Sequence, residues 1–200
     1  MPTYMIHLCV ARKFNPEANI DFYIGNLAPD SVAGEDKHIS HLRNASDMES
    51  ALKEFALRIN TENEYLKGVL LHLFVDWQWN DILILPDFIK KNGDDWYQKY
   101  YDESGLTEHY LYHNTDWAYE LWEQMDLCDD FDFVETKFIV KDNIKDLIKG
   151  YRGRRRNNWE IETKIKPSTE FHLLLINKFA DDVVAYFNNW LGELKYKIDG

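Results

Sequence analysis

The segment GVLLHLFVDWQWND, residues 68–81, restricts the possible folds more than any other part of the chain. As a helix it is apolar on nearly every side, and such a helix belongs in a protein interior. Yet His72, Asp76 and Asn80 recur at intervals of four, which sets them in one line along the helix, with Gly68 one turn earlier. The polar line is therefore expected inside as well. A buried carboxylate without a partner is very costly, so Asp76 needs a hydrogen-bonded neighbour, a cation or a metal. An ordinary His–Asp pair in a core meets the same need, and the spacing alone does not separate the two.

The rest of the chain reads as helices around this one. SDMESALKEFALRIN opens on Ser46 as N-cap with Glu49 three residues on, and Met48, Ala51, Leu52, Phe55, Ala56 and Ile59 mark one buried face. The central helix is expected from about Asn63 to Leu85, ended by Pro86. Others are expected after Thr107 through EHYLYHNTDWAYELWEQM, over FVETKFIVKDNIKDLIKG with Gly150 as stop, and after Pro167 and Ser168. NPEANIDFYIG reads as a short helix with Asn15 as cap and Pro16 at its first position. GNLAPDSVAGED and YRGRRRNNWEIETKIKPST read as irregular. No strand alternation, repeat or low-complexity tract stands out. The expected fold is all-α, a single-domain multi-helix bundle over residues 1–200 with about six or seven helices.

Charge narrows the partners. The chain carries 23 Lys and Arg against 35 Asp and Glu, a net −12, which opposes broad nucleic-acid binding. Its two cysteines, Cys9 and Cys128, are too few for a disulfide framework. No run reaches the roughly 18 apolar residues of a membrane span, and no signal peptide is visible, so the expectation is a cytoplasmic protein.

Potential partners for the polar line lie in the N-terminal third. His7 sits in the apolar run YMIHLCVA, Asp30 follows Pro29 at a turn, and His41 lies in KHISHLRN. Imidazoles and carboxylates from separate elements are the donors that zinc takes. His7, Asp30, His41, His72 and Asp76 together make a mixed nitrogen–oxygen set.

In this order, His7, GNLAPD (Gly25 to Asp30), KHISH (Lys37 to His41) and KGVLLHLFVDWQWND (Lys67 to Asp81) resemble the pattern of the zinc-dependent phospholipase C-like proteins. That family is related in fold to bacterial phospholipase C and the zinc-dependent single-strand nucleases. The likeness covers residues 5–81. It implies a phospholipase C/nuclease-like bundle with one to three zinc ions, although another divalent transition metal suits the same donors. It also implies that Asp30, His41, His72 and Asp76 hold one ion, and that Asp76 bridges to a second that takes His7. Asp30 would further act as catalytic proton acceptor. The implied function is metal-dependent hydrolysis of a small phosphoester. The alternative is a non-catalytic helical module with a structural zinc, because four protein ligands already close a tetrahedral site.

The family's two further His and a Glu have no counterpart at matching spacing. The nearest candidates are His109, His113 and Asp116, on one helical face with Glu120. They form a second metal or substrate site if that face turns inward, and an ordinary solvated face otherwise. His38 is expected to be exposed, and His172 to pack or hydrogen-bond. The basic cluster YRGRRRNNW (Tyr151 to Trp159) is either a solvated loop with surface ion pairs or a phosphate-binding element. Asn80 or these arginines are the residues available to orient an oxyanion.

Overall fold

The segment that begins at Gly68 supplies the greater part of helix α5 (Glu64–Trp77), which lies at the centre of the molecule, and continues into the turn after it. The computed structural model describes residues 1–135 and 139–199, with side chains as far as residue 194. Ahead of α5 come α1 (Tyr4–Phe14), α2 (Ile20–Leu27), α3 (Asp36–Ser40) and α4 (Met48–Arg58). After it come α6 (Leu85–Asn92), α7 (Trp96–Asn114), α8 (Ala118–Leu127), α9 (Lys141–Asn157), α10 (Trp159–Glu162) and α11 (Leu173–Asp199). The described residues contain no strand, so the all-α expectation is met. None of these helices is long and apolar enough to cross a membrane.

Helix α5 begins where Asn63 caps it, its side chain accepting from Leu66 N at 2.8 Å. From Gly68 to Asp76 every residue is buried. Its closest neighbour is α2, and two glycines set that approach. A Cβ on Gly68 would lie 2.1 Å from the Phe22 carbonyl oxygen, and one on Gly25 would lie 2.0 Å from that of Tyr65. Neither atom can move away, because both belong to helix backbone. The contact lets Asn26 Nδ2 donate to the Gly68 carbonyl at 3.3 Å. Elsewhere the core is aromatic: Phe74 of α5 meets Phe187 and Trp190 of α11 at ring distances of 5.0 and 5.4 Å.

Several element boundaries differ from the sequence reading. Asp47, not Ser46, caps α4, accepting from Glu49 N and Ser50 N. Asn15 ends α1, and Asn19 caps α2 by accepting from Phe22 N. Helix α5 does not run unbroken to Leu85. A π-helical turn at Gln78–Leu83 follows it, and Pro86 stands in the first turn of α6, where no amide donor is needed. The helix expected after Thr107 is two, because α7 starts at Trp96 and the chain turns at Thr115–Trp117 before α8. In GNLAPDSVAGED, Gly25–Leu27 belong to α2 and Ala28–Ser31 form a 3-10 turn.

The largest revision concerns α9. Residues 133–135 and 139–140 are not helical, and residues 136–138 of that expected helix lie outside the described residues. Gly150 does not stop α9 either. The apolar stripe Ile144, Ile148, Tyr151 continues one turn further to Arg155, all four buried. That burial offsets the roughly 1 kcal/mol that each interior glycine costs a helix. The stretch Tyr151–Asn157, read as loop, is therefore the end of a helix whose inner face carries an arginine.

The α2–α5 crossing gives a direct test. Gly68→Ala should lower unfolding free energy by about 3 kcal/mol or more, at the top of the range for overpacked cores. Gly105→Ala, whose Cβ meets nothing within 4 Å, should be neutral or stabilising. Chemical denaturation of both variants measures the difference, and equal midpoints would contradict the close crossing.

Candidate metal centre

Four local structures aim side chains at one point. In α1, His7 lies on the buried face with Met5, Ile6 and Leu8. The 3-10 turn after α2 carries Asp30, held by Ser31 Oγ donating to the Ala28 carbonyl at 2.7 Å. His41 ends α3, where Leu42 takes the left-handed conformation, φ 56°, and Arg43 N closes back on the His38 carbonyl at 2.8 Å. That is a Schellman-type helix end with leucine in the position glycine usually fills. It turns His41 inward and brings Arg43 towards Asp76. His72 and Asp76 come from α5, one turn apart.

All five proposed ligands meet here. His7, His41 and His72 are fully buried, and the Asp30 and Asp76 side chains are only 5 % and 2 % exposed. His72 Nδ1 donates to the Asn26 carbonyl at 2.7 Å, and His41 Nδ1 to the Lys37 carbonyl at 2.9 Å. A carbonyl only accepts, so in a neutral His72 ring Nδ1 carries the proton and Nε2 presents a lone pair; His41 takes the same tautomer when it donates to Lys37, and Ser40 Oγ also lies 2.9 Å from its Nδ1. Those two Nε2 atoms face each other at 3.3 Å. Asp30 Oδ1 lies 3.3 Å from His41 Nε2, and Asp76 Oδ2 lies 3.9 Å from it. His7 stacks flat on His72, with ring centres 3.9 Å apart, and its Nε2 is 3.4 Å from Asp76 Oδ1. Both His7 nitrogens and Asp76 Oδ1 are buried without an aligned hydrogen bond.

This cluster is rich in lone pairs and poor in protons. One extra proton on His41 serves one neighbour and leaves the others unmet. A bound cation meets them together. Ligand atoms at about 2.0–2.2 Å from a tetrahedral metal lie roughly 3.3–3.6 Å from one another, and most of the distances above fall there. Two overlapping triplets bring their ligand atoms within 4.8 Å: His7, Asp30 and His72, and His41, His72 and Asp76. The donor set and spacing fit a divalent transition metal.

The electrostatics agree. Burial lowers the His72 pKa to about 3, helped by His7 and opposed by Asp30 and Asp76, so the ring stays neutral as a ligand must. Burial alone would raise the pKa of Asp30 and Asp76. The histidine contacts, with Lys37 beside Asp30, outweigh it and hold both carboxyls below their usual range. Lys37 Nζ donates to Asp30 Oδ1 at 2.8 Å, and Arg43 Nη2 approaches Asp76 Oδ2 at 3.5 Å.

Asp30 opens onto a cavity of about 850 Å³. Its walls also include Lys37, Tyr4, Tyr100, His109, Arg154 and Arg155. A second cavity of about 410 Å³ reaches Asp76 from the other side and contains Arg43, Asn80 and Asp81. Asn80 thus continues the polar line only as far as this opening.

The expected His109–His113–Asp116 site does not form. Asp116 is exposed in the turn between α7 and α8. The carboxylate that His109 and His113 meet is Glu162 of α10, whose Oε2 lies 3.4 Å from His109 Nδ1 and 3.1 Å from His113 Nε2. Arg155 Nη1 donates to the same oxygen at 2.9 Å and also contacts His109 Nδ1. A guanidinium therefore stands where a metal would. Sequence spacing held no signal for Glu162. For Arg155 it held one, the unbroken stripe of α9. His38 is exposed, and His172 accepts from Leu175 N at the start of α11.

Acid stability tests the buried neutral imidazole. Between the folded His72 pKa of about 3 and an unfolded value near 6.5, the unfolded chain binds one proton more. Stability of chelated protein should therefore fall as pH falls through that window, by about 1.4 kcal/mol per unit from this group. Urea unfolding at several pH values should show His72→Gln losing one proton from the slope. An identical slope in the variant would mean that His72 is not buried neutral.

No family model, curated protein or solved structure matches this chain.

Proposed function

We propose that this chain is a metal-dependent hydrolase of phosphoesters, with zinc as the favoured ion. The observation that carries the proposal is the convergence of buried donor atoms from His7, Asp30, His41, His72 and Asp76, with Asp30 of that set at the wall of a substrate-sized cavity. The resemblance to zinc-dependent phospholipase C-like proteins points the same way. A divalent ion held by these residues supplies Lewis acidity and lowers the pKa of water towards about 7.

The chain's own residues supply the rest. The carbonyls of Asn26 and Lys37 fix the imidazole tautomers, leaving Nε2 free on His72 and His41. Asp30 remains ionised and borders the cavity, so it is the group placed to accept a proton from the attacking water. Lys37 holds that carboxylate and adds positive charge where phosphoryl oxygens would lie. The apolar shell around His7 and His72 keeps bulk water from the ligand atoms.

A second reading, a structural metal in a non-catalytic module, draws on the near-complete burial of His41, His72 and Asp76. Lining of the cavity by Asp30 favours the catalytic reading, since a structural site needs no substrate-sized opening.

Elemental analysis of purified protein, paired with hydrolysis of a chromogenic phosphodiester, tests the proposal. Bound transition metal and activity should both be present, and His72→Ala should remove the metal and lower kcat/KM by about 10²-fold or more. Metal without activity in the wild type supports the structural reading. Absence of metal together with unchanged activity in His72→Ala refutes the proposal.

A further inference from the structure

The lining of the large cavity includes two arginines adjacent in sequence, Arg154 and Arg155. Arg155 is unusual because its side chain is nine-tenths buried yet borders the cavity. Among the described residues one carboxylate, Glu162, pairs with it, and its Nε is buried without a hydrogen-bond partner. The group is also held rigidly. Its guanidinium carbon sits 4.7 Å from the centre of the Tyr151 ring, and that ring stacks on Trp122 at 3.9 Å. Glu162 is fixed in turn by His113 at 3.1 Å.

Arg154, next in sequence, borders the same cavity and makes no ion pair among the described residues. His109 joins them and accepts from Arg155. Burial, with the Arg155 charge beside it, holds His109 below its usual pKa, so it stays neutral at this wall.

An arginine buried and preset by a carboxylate and an aromatic ring is costly unless something uses it. Two guanidinium groups lining one cavity, one of them with no ion pair among the described residues, offer donors that suit the oxygens of a phosphoryl group. We propose that Arg154 and Arg155 form an anion subsite that binds a second phosphoryl group of the substrate, other than the ester being hydrolysed. Glu162 acts as a positioning residue, aligning Arg155 while leaving part of its fork free.

The proposal deepens the hydrolase reading, on which its word "substrate" rests. It selects phosphoesters with a further phosphoryl group over those with a neutral alcohol. The subsite itself does not depend on metal, so it is tested on the full chain in the presence of chelator, with inorganic phosphate as probe.

Calorimetric titration should show phosphate binding to chelated wild-type protein. Arg154→Met should weaken it by about tenfold or more, and so should Arg155→Lys, which keeps the charge but loses the fork. His72→Ala should leave it unchanged. Arg154 is exposed, so its variant tests the site without threatening the fold. A measurement on the unaltered chain complements the variants: phosphate should protect Arg155 from phenylglyoxal, read by peptide mass spectrometry. The proposal is overturned if folded wild-type protein binds no phosphate, if Arg154→Met binds it equally well, or if phosphate gives Arg155 no protection. Failure of the metal reading would show instead as absent metal with phosphate binding intact.

Discussion

Two imidazole Nε2 atoms held 3.3 Å apart in a buried core are the constraint on which the site depends. His41 and His72 cannot relieve it by turning, because each ring is anchored through Nδ1 to a main-chain carbonyl. The next neighbours of the two rings are two carboxylates and a third imidazole, and the cations at hand, Lys37 and Arg43, face the carboxylates. Apolar packing fixes the positions of these groups, and their chemistry calls for a cation.

That positioning traces back to glycine. Gly25 and Gly68 let α2 and α5 touch backbone to backbone, and only this closeness puts the Asn26 carbonyl within reach of His72. The same crossing delivers the turn that bears Asp30. On the far side, Leu42 accepts a left-handed backbone so that His41 can turn inward. Strain of that kind persists where the surroundings over-determine the conformation.

The N-terminal half was the more legible in sequence, for a physical reason. An apolar helix with a four-residue polar period has one sensible location, and the His and Asp residues before it had few other roles. The helical class followed from that logic, and the five residues it singled out, His7, Asp30, His41, His72 and Asp76, lie together in the fold. What escaped were features decided by tertiary packing. Gly150 reads as a helix stop in the sequence, but burial of Ile148, Tyr151 and Arg155 overrides glycine's low helix propensity. Asp116 had the right spacing for the His109–His113 face, yet the turn before α8 leaves it outside, and Glu162 arrives from α10. A contact across 49 positions of sequence leaves no periodic trace. Electrostatically, a chain of net charge −12 keeps arginines on the inner wall of one cavity, a distinction that total charge conceals.

The most direct test of the central claim is anomalous diffraction from crystals grown with zinc. The account requires a strong peak bonded to Nε2 of both His41 and His72 at about 2.0–2.1 Å, with a carboxylate oxygen from Asp30 or Asp76 completing the shell. Density showing no metal there, with a proton or a water bridging the two imidazoles, would contradict it.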